Sequence, residues 1–264
     1  MTLQTLVSAV KEDTAALASK MNLESDAILI NQCEENSYST YEYKGKKIDC
    51  YHFCEKGVGL SRNNALMRAT ADIVLFSDED IVYETGYADK ILDAFAANPD
   101  ADMLLFNMEV DADRATYYTK EKKRVHWYNC GRYPTYSFAL RREKLHRSGI
   151  TFSLLFGGGA KYSNGEDSLF IRDCLKKGFK IYALPISIGK EVKRPSTWFN
   201  GYTEKFFYDR GVLYHFLYGR MAKIFALRFL LKNKNTFFTD NGETEVGSVK
   251  EAYRLMKSGI KEMR

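Results

Sequence analysis

A chain of 264 residues with 45% hydrophobic and 28% charged residues holds enough apolar material for a sizeable core, which excludes a low-complexity or disordered protein. Its formal net charge of +5 is a modest hint of an anionic partner and no more. No stretch approaches the roughly 18 uninterrupted apolar residues of a transmembrane helix, so nothing in it is expected to span a bilayer.

In chain order, "TLVSAV" reads as a short buried strand and "DTAALASKM" as a helix capped by Asp13 or Thr14. "DAILIN" (26–31) is a second strand, and the polar "EENSYSTYEYKGKKID" reads as a loop with a small hairpin. "GLSRNNALMRAT" follows as a helix, with Ser61 as its N-cap and Leu66 and Met67 on its buried side. "DIVLFSD" is the next strand. "TGYADKILDAFAANP" carries Tyr87, Ile91 and Phe95 at helical spacing and stops before Pro99, and "ADMLLFNMEV" is another strand. This β-α-β-α-β order predicts a mostly parallel sheet flanked by helices on both faces. After residue 111, "SFALRRE" reads as a strand entering a short helix and "FGGGAKYSNG" as a glycine-rich loop. "EDSLFIRDCLKKGF" is a helix with Phe170 and Cys174 inward and Gly178 as its stop, and "KIYALP" is a last strand. From about 203 the chain turns helical and basic and ends in the amphipathic "SVKEAYRLMKSGIKEM". The expected organisation is an α/β domain over residues 1–200, with a helical C-terminal extension over 201–264 packed on it.

Five cysteines, an odd number, with no leader-like segment ahead of them, point to a reduced cytoplasmic setting. "CYHFC" places Cys50, His52 and Cys54 on one face of a strand, but no second ligand pair follows at zinc spacing. The 18 Tyr, 17 Phe and 2 Trp suit carbohydrate stacking, or simply an aromatic core.

Chemistry concentrates at two acidic clusters. Asp78, Glu79 and Asp80 follow an apolar strand, where open α/β sheets bind ligands. A D-x-D pair there can hold Mg²⁺ or Mn²⁺ with one carboxylate and orient a sugar with the other, while its bland reading is a solvated turn before the helix at Thr85. Glu166 and Asp167 open a helix behind the glycine loop, either as ordinary first-turn acids or as a general base on a mobile loop. "GLSRNNAL" sets Arg62 near a helix start, suited to a phosphate or a carboxylate. Neither a P-loop nor a G-x-G-x-x-G follows the first strand.

"GVGLSRNNALMRATADIVLFSDEDIVY" and "FGGGAKYSNGEDSLFIRDCLKKGFKIYALP" together resemble the nucleotide-binding and acceptor-side segments of family 2 glycosyltransferases of the GT-A, Rossmann-like fold. The resemblance covers about residues 3–190. It implies an inverting, metal-dependent glycosyltransferase of the type that builds bacterial polysaccharides such as capsules, with a nucleotide sugar donor, most simply UDP-linked. Ser8, Ala9 and Val10 would line the base and Gln32 would read the uracil edge. Arg62 would brace the base or phosphate, and Asp78 and Glu79 would face ribose and sugar. Asp80 would bind Mn²⁺ or Mg²⁺, Asp167 would be the base, and Glu166, Gly158 and Gly159 would lie on the acceptor side. The chain departs from the family pattern in two places. The first strand ends "SAVKED" without the usual proline turn. The last strand is followed by "SIGKE" where a metal-binding histidine is common, which puts Lys190 at the diphosphate.

From Arg210 to Thr239 there is no acid, while six cations alternate with seven aromatics. Such a segment can lie on an anionic membrane, or pack its Leu/Phe face inward with a solvated basic side. Peripheral contact with the inner face of the membrane would suit a saccharide or lipid-linked saccharide acceptor. Trp198 and Tyr202 offer a sugar platform or plain packing. The rival readings are a nucleotidyltransferase, which "SAVKEDTAAL" does not favour, and a degenerate binding subunit. Nucleic-acid binding through the basic tail is disfavoured by the acidic sheet end.

Overall fold

The computed structural model describes residues 1–111, 117–192, 201–238 and 245–262. Strand β1 (Leu3–Val10) is buried over all but its last residue, as a strand covered on both faces must be. Helix α1 (Thr14–Lys20) is capped by Asp13, whose carboxylate accepts from the Ala15 N–H at 3.1 Å. It returns the chain to β2 (Asp26–Gln32), parallel to β1. The stretch read as a loop with a small hairpin is two full strands, β3 (Ser37–Tyr43) and β4 (Lys46–Phe53). β4 joins β2 in parallel and β3 closes that edge antiparallel. β3 is polar because its face is solvated, and that polarity hid it from a search for apolar runs.

Helix α2 (Val58–Arg68) starts at Gly57, not at Ser61, and the Ser61 N–H closes its first turn onto the Gly57 carbonyl. Ser61, Arg62, Ala65 and Leu66 form the buried stripe, whereas Met67, expected inside, is 69% exposed. Leu66 and Met67 are about 100° apart around the axis, so a narrow stripe holds only one of them. Next come β5 (Ile73–Asp78), β6 (Ile81–Tyr83), α3 (Tyr87–Ala97) and β7 (Met103–Glu109). Two-residue β8 (Lys123–Arg124), β9 (Phe138–Arg141), α4 (Arg142–Ser148) and α5 (Glu166–Lys176) follow. The chain ends with β10 (Ile181–Glu191), α6 (Glu204–Tyr218), α7 (Ala222–Lys232), α8 (Lys234–Phe237) and α9 (Val249–Glu262).

Among the described residues the sheet runs β3-β4-β2-β1-β5-β9-β7-β10-β6, with β8 beside β10. Its parallel block is β4-β2-β1-β5, and β9 runs antiparallel between β5 and β7. Pleating sorts side chains strictly: Leu6, Val74 and Phe76 face one apolar cluster, Val7, Ile73 and Leu75 the other. Tyr87, Ile91 and Phe95 of α3 seal the second face, as their spacing predicted. The order of strand addition reverses at β1, with β2 on one side and β5 on the other, so the parallel strands β1, β2 and β5 open their carboxyl ends into one crevice.

The C-terminal helices share an apolar cluster with the sheet, through Phe206, Phe207, Leu213 and Met256. α6 and α9 meet backbone to backbone. A Cβ on Gly211 would lie 2.1 Å from the Met256 carbonyl oxygen, and one on Gly259 would lie 2.3 Å from that of Tyr208. Helix propensity alone favours alanine at both positions by up to about 1 kcal/mol. The contact reverses the sign: Gly211→Ala and Gly259→Ala should each lose about 1–3 kcal/mol in urea unfolding, because the helices must separate.

Candidate active site

Three consecutive residues of α2 build the crevice. The Ser61 hydroxyl donates to Ser8 Oγ at 3.1 Å, tying the helix to the end of β1. Arg62 donates from Nη2 to Asp78 Oδ1 and from Nη1 to Glu166 Oε1, both at 2.8 Å. Asn63 exchanges two hydrogen bonds with the backbone of Phe152, 2.9 Å to its carbonyl and 2.7 Å from its N–H. The end of β1, the end of β5, the glycine loop and the start of α5 therefore converge on one helical turn.

Arg62 is 4% exposed, and its guanidinium lies 5.5 Å from the Phe152 ring centroid. Phe152 stacks on Phe170 at 4.1 Å and meets Phe76 edge-on at 5.0 Å, so the floor beneath the cation is aromatic. Burial opposes the charge, but the carboxylates of Asp78 and Glu166 outweigh it and raise the Arg62 pKa above its ordinary value. Its buried Nε has no hydrogen-bond partner. Arg62 was expected to brace a base or phosphate; here its two terminal nitrogens hold carboxylates.

Asp167 sits next to this clamp without joining it. Its carboxylate accepts from the N–H and hydroxyl of Ser168. Burial pushes its pKa up to about 6, the neighbouring Glu166 charge adds to that, and the Ser168 bonds and Arg62 pull the other way. The residue is half-buried rather than sealed. An acid with these properties takes up a proton near neutrality.

The glycine loop is shaped by close approach. Gly157 has φ +103°, and a Cβ there would fall 2.9 Å from Glu166 Oε2. The Gly158 carbonyl accepts the Val58 N–H at 3.0 Å, joining the loop to the start of α2. Gly159 lies beside Gly57. On α6, buried Asp209 accepts from the N–H and hydroxyl of Ser163 and pairs with Lys205.

Of the remaining expected site residues, Ser8 and Ala9 are buried at the end of β1, Ser8 registers against Asp78, and Val10 is exposed. Gln32 at the end of β2 accepts the Gly57 N–H through Oε1 at 2.7 Å. Glu79 and Asp80 form the turn between β5 and β6. Lys190 is exposed on β10, opposite Val82, and the Val192 N–H bonds the Asp80 carbonyl at 2.8 Å, so β10 lies alongside that turn. Tyr202 packs on Phe206 and Phe237. Trp198 lies outside the described residues. No group of three His, Cys, Asp or Glu side chains among the described residues forms a metal cluster. Sequence reasoning missed Ser61, Asn63 and Asp209 as positioning residues; the run "SRNN", polar on the buried side of a helix, was the available signal for the first two.

Removing the cation from the clamp should expose its worth. Arg62→Ala leaves two carboxylates facing each other in a poorly solvated site and should cost about 3 kcal/mol in equilibrium unfolding at pH 7. Arg62→Lys, with one ammonium in place of a fork, should restore only part of that.

Residues 28–157 match the family model described as glycosyl transferase family 2. No curated protein matches the sequence. Among solved structures, S. aureus TarS 1–349 in complex with UDP-GlcNAc is 17% identical with a TM-score of 0.63, covering 88% of this chain and 72% of that one. TarS 1–349 with UDP is 17% identical with a TM-score of 0.59, over 90% and 73%. Against a longer TarS chain, 18% identical with a TM-score of 0.61, this chain spans 46% of the length. At these identities the likeness speaks for the fold. The matched segment, just under half of the chain, runs from β2 to the glycine loop and contains both Arg62 and the Asp78–Asp80 turn; over that stretch the chain is similar to glycosyl transferase family 2, and its fold is the GT-A fold.

Proposed function

We propose that the protein transfers a sugar, with inversion, from a UDP-linked donor to a hydroxyl of a saccharide or lipid-linked saccharide acceptor during bacterial polysaccharide synthesis. The family match supports glycosyl transfer. The likeness to a fold solved with UDP-GlcNAc supports a nucleotide sugar donor. The observation that carries the reaction is Asp167, a half-buried carboxylate of raised proton affinity beside an acid clamped by Arg62.

In this reading Asp167 accepts the proton of the acceptor hydroxyl as its oxygen attacks the anomeric carbon. The bond from that carbon to the diphosphate breaks, and UDP leaves with the electron pair. Arg62 holds Glu166 in place, so that Glu166 orients the acceptor while its proximity adds to the raised proton affinity of Asp167. Ser8, Ala9, Val10 and Gln32 line the nucleotide, and Glu79 faces the sugar. The carboxylate turn offers hard oxygen donors of the kind Mn²⁺ or Mg²⁺ prefers, with Asp80 as the protein ligand and the donor's own diphosphate completing the shell. When bound, the cation would offset negative charge on the departing diphosphate, next to the Lys190 ammonium. Gly158 and Gly159 border the acceptor.

Asp167→Asn should retain UDP binding and lose roughly 10²–10⁴-fold in kcat, the usual worth of a positioned general base. In the unmutated enzyme kcat/KM should rise with pH and level off above about 6, where Asp167 is ionised. A profile flat from pH 5 to 8 would remove Asp167 as the base. The sign for stability is opposite. A carboxyl whose folded pKa is raised favours the folded state less as pH climbs from the ordinary carboxylate range to about 6, so Asp167→Asn should melt higher than wild type at pH 7.

The metal assignment has its own measurement. UDP should raise the melting temperature far more with Mn²⁺ than with EDTA, and Asp80→Asn should abolish that difference. Equal shifts with and without the cation would make the donor site metal-independent.

A further inference from the structure

Helix α7 is apolar on two opposite sides. Ala222, Ala226 and Leu230 face the domain core. Ile224, Leu227 and Leu231, at i, i+3 and i+7, form a second stripe that points away from it, and they are 65%, 40% and 58% exposed. Basic residues border this outer stripe on both flanks, Lys223 along one edge and Arg228 and Lys232 along the other. A helix serving only as packing would carry charges at the centre of its outer face, not aliphatic side chains.

The apolar surface extends beyond the helix. Trp127, 38% exposed, lies 5.9 Å ring to ring from Phe225 of α7, and Tyr128 beside it is 49% exposed. On the neighbouring helix α6, Phe216 is 39% exposed and packs against Phe156 of the glycine loop at 5.8 Å. In the same loop Leu154 and Leu155 are 60% and 51% exposed. Aliphatic side chains at the centre, cations at the rim and an interfacial Trp–Tyr pair make up the pattern of a helix lying in a headgroup layer. Among the described residues no helix is long and apolar enough to cross a membrane, so the arrangement fits a surface contact.

We infer that the outer face of α7, centred on Ile224, Leu227 and Leu231, docks the protein onto an anionic lipid surface. Charge selects that occupant. The chain from 210 to 239 has no acid, so a two-fold contact between copies through this face would oppose cation to cation, whereas anionic headgroups complement it. The association is independent of which reaction the cleft performs.

The test is co-sedimentation of the full chain with vesicles of phosphatidylcholine alone or mixed with phosphatidylglycerol, at low and high salt. Binding should require phosphatidylglycerol and weaken with salt. Ile224→Ser/Leu227→Ser/Leu231→Ser should lose it while keeping the wild-type melting temperature. Should that variant fold poorly, Lys223→Glu/Lys232→Glu provides a second arm and should weaken binding by roughly tenfold or more. The proposal is overturned if wild type ignores anionic vesicles or if both variants bind as wild type does. It is equally overturned if wild type sediments as a dimer that the serine variant dissociates, with no vesicle binding by either.

Discussion

A single buried guanidinium holds the crevice together. Arg62 stands on an aromatic floor, where an unpaired charge would be costly, and the carboxylates of Asp78 and Glu166 answer it at 2.8 Å each. Those two acids come from different parts of the fold, the end of strand β5 and the start of helix α5. The clamp therefore sets the distance between the end of β5 and the start of α5 behind the glycine loop. Its neighbours on α2 extend the same logic, with Ser61 holding β1 and Asn63 holding the loop at Phe152.

The acidic residues divide their work according to this geometry. Asp78 and Glu166 are committed to the clamp, which makes them structural before they are anything else. Asp167, hydrogen-bonded to Ser168, lies beside the Glu166 charge, and burial first and that charge second raise its proton affinity. The raised proton affinity of Asp167 is made by its surroundings, burial and the neighbouring Glu166 charge. The same neighbourhood leaves the folded protein less stable at neutral pH than an amide at that position would.

The C-terminal helices show a different compromise. α6 and α9 approach so closely that glycine is needed at both contact points, and α7 then rests its alanine side on the domain. Ala222, Ala226 and Leu230 point inward, and Ile224, Leu227 and Leu231 are left outward. One helix thereby both closes the apolar cluster and presents a new surface.

Much of this architecture was legible in the residues. Alternating strand and helix periods located β1, β2, β5, β7 and α3, and the two acidic clusters behind an apolar strand and a glycine loop are brought together at Arg62. Each of those features depends on local spacing, which a single chain displays directly. Polar β3 escaped because an edge strand need not be apolar, and Ser61 looked like a cap because a helix boundary at Gly57 is a matter of backbone geometry. Which residues of "SRNN" face inward, that Arg62 grips two acids 16 and 104 positions away, and that the large side chains of α7 face outward are decided only when distant elements pack. Spacing along the chain carries the period of an element, but the choice of its partner, and so the charge state of Asp167, belongs to the tertiary structure.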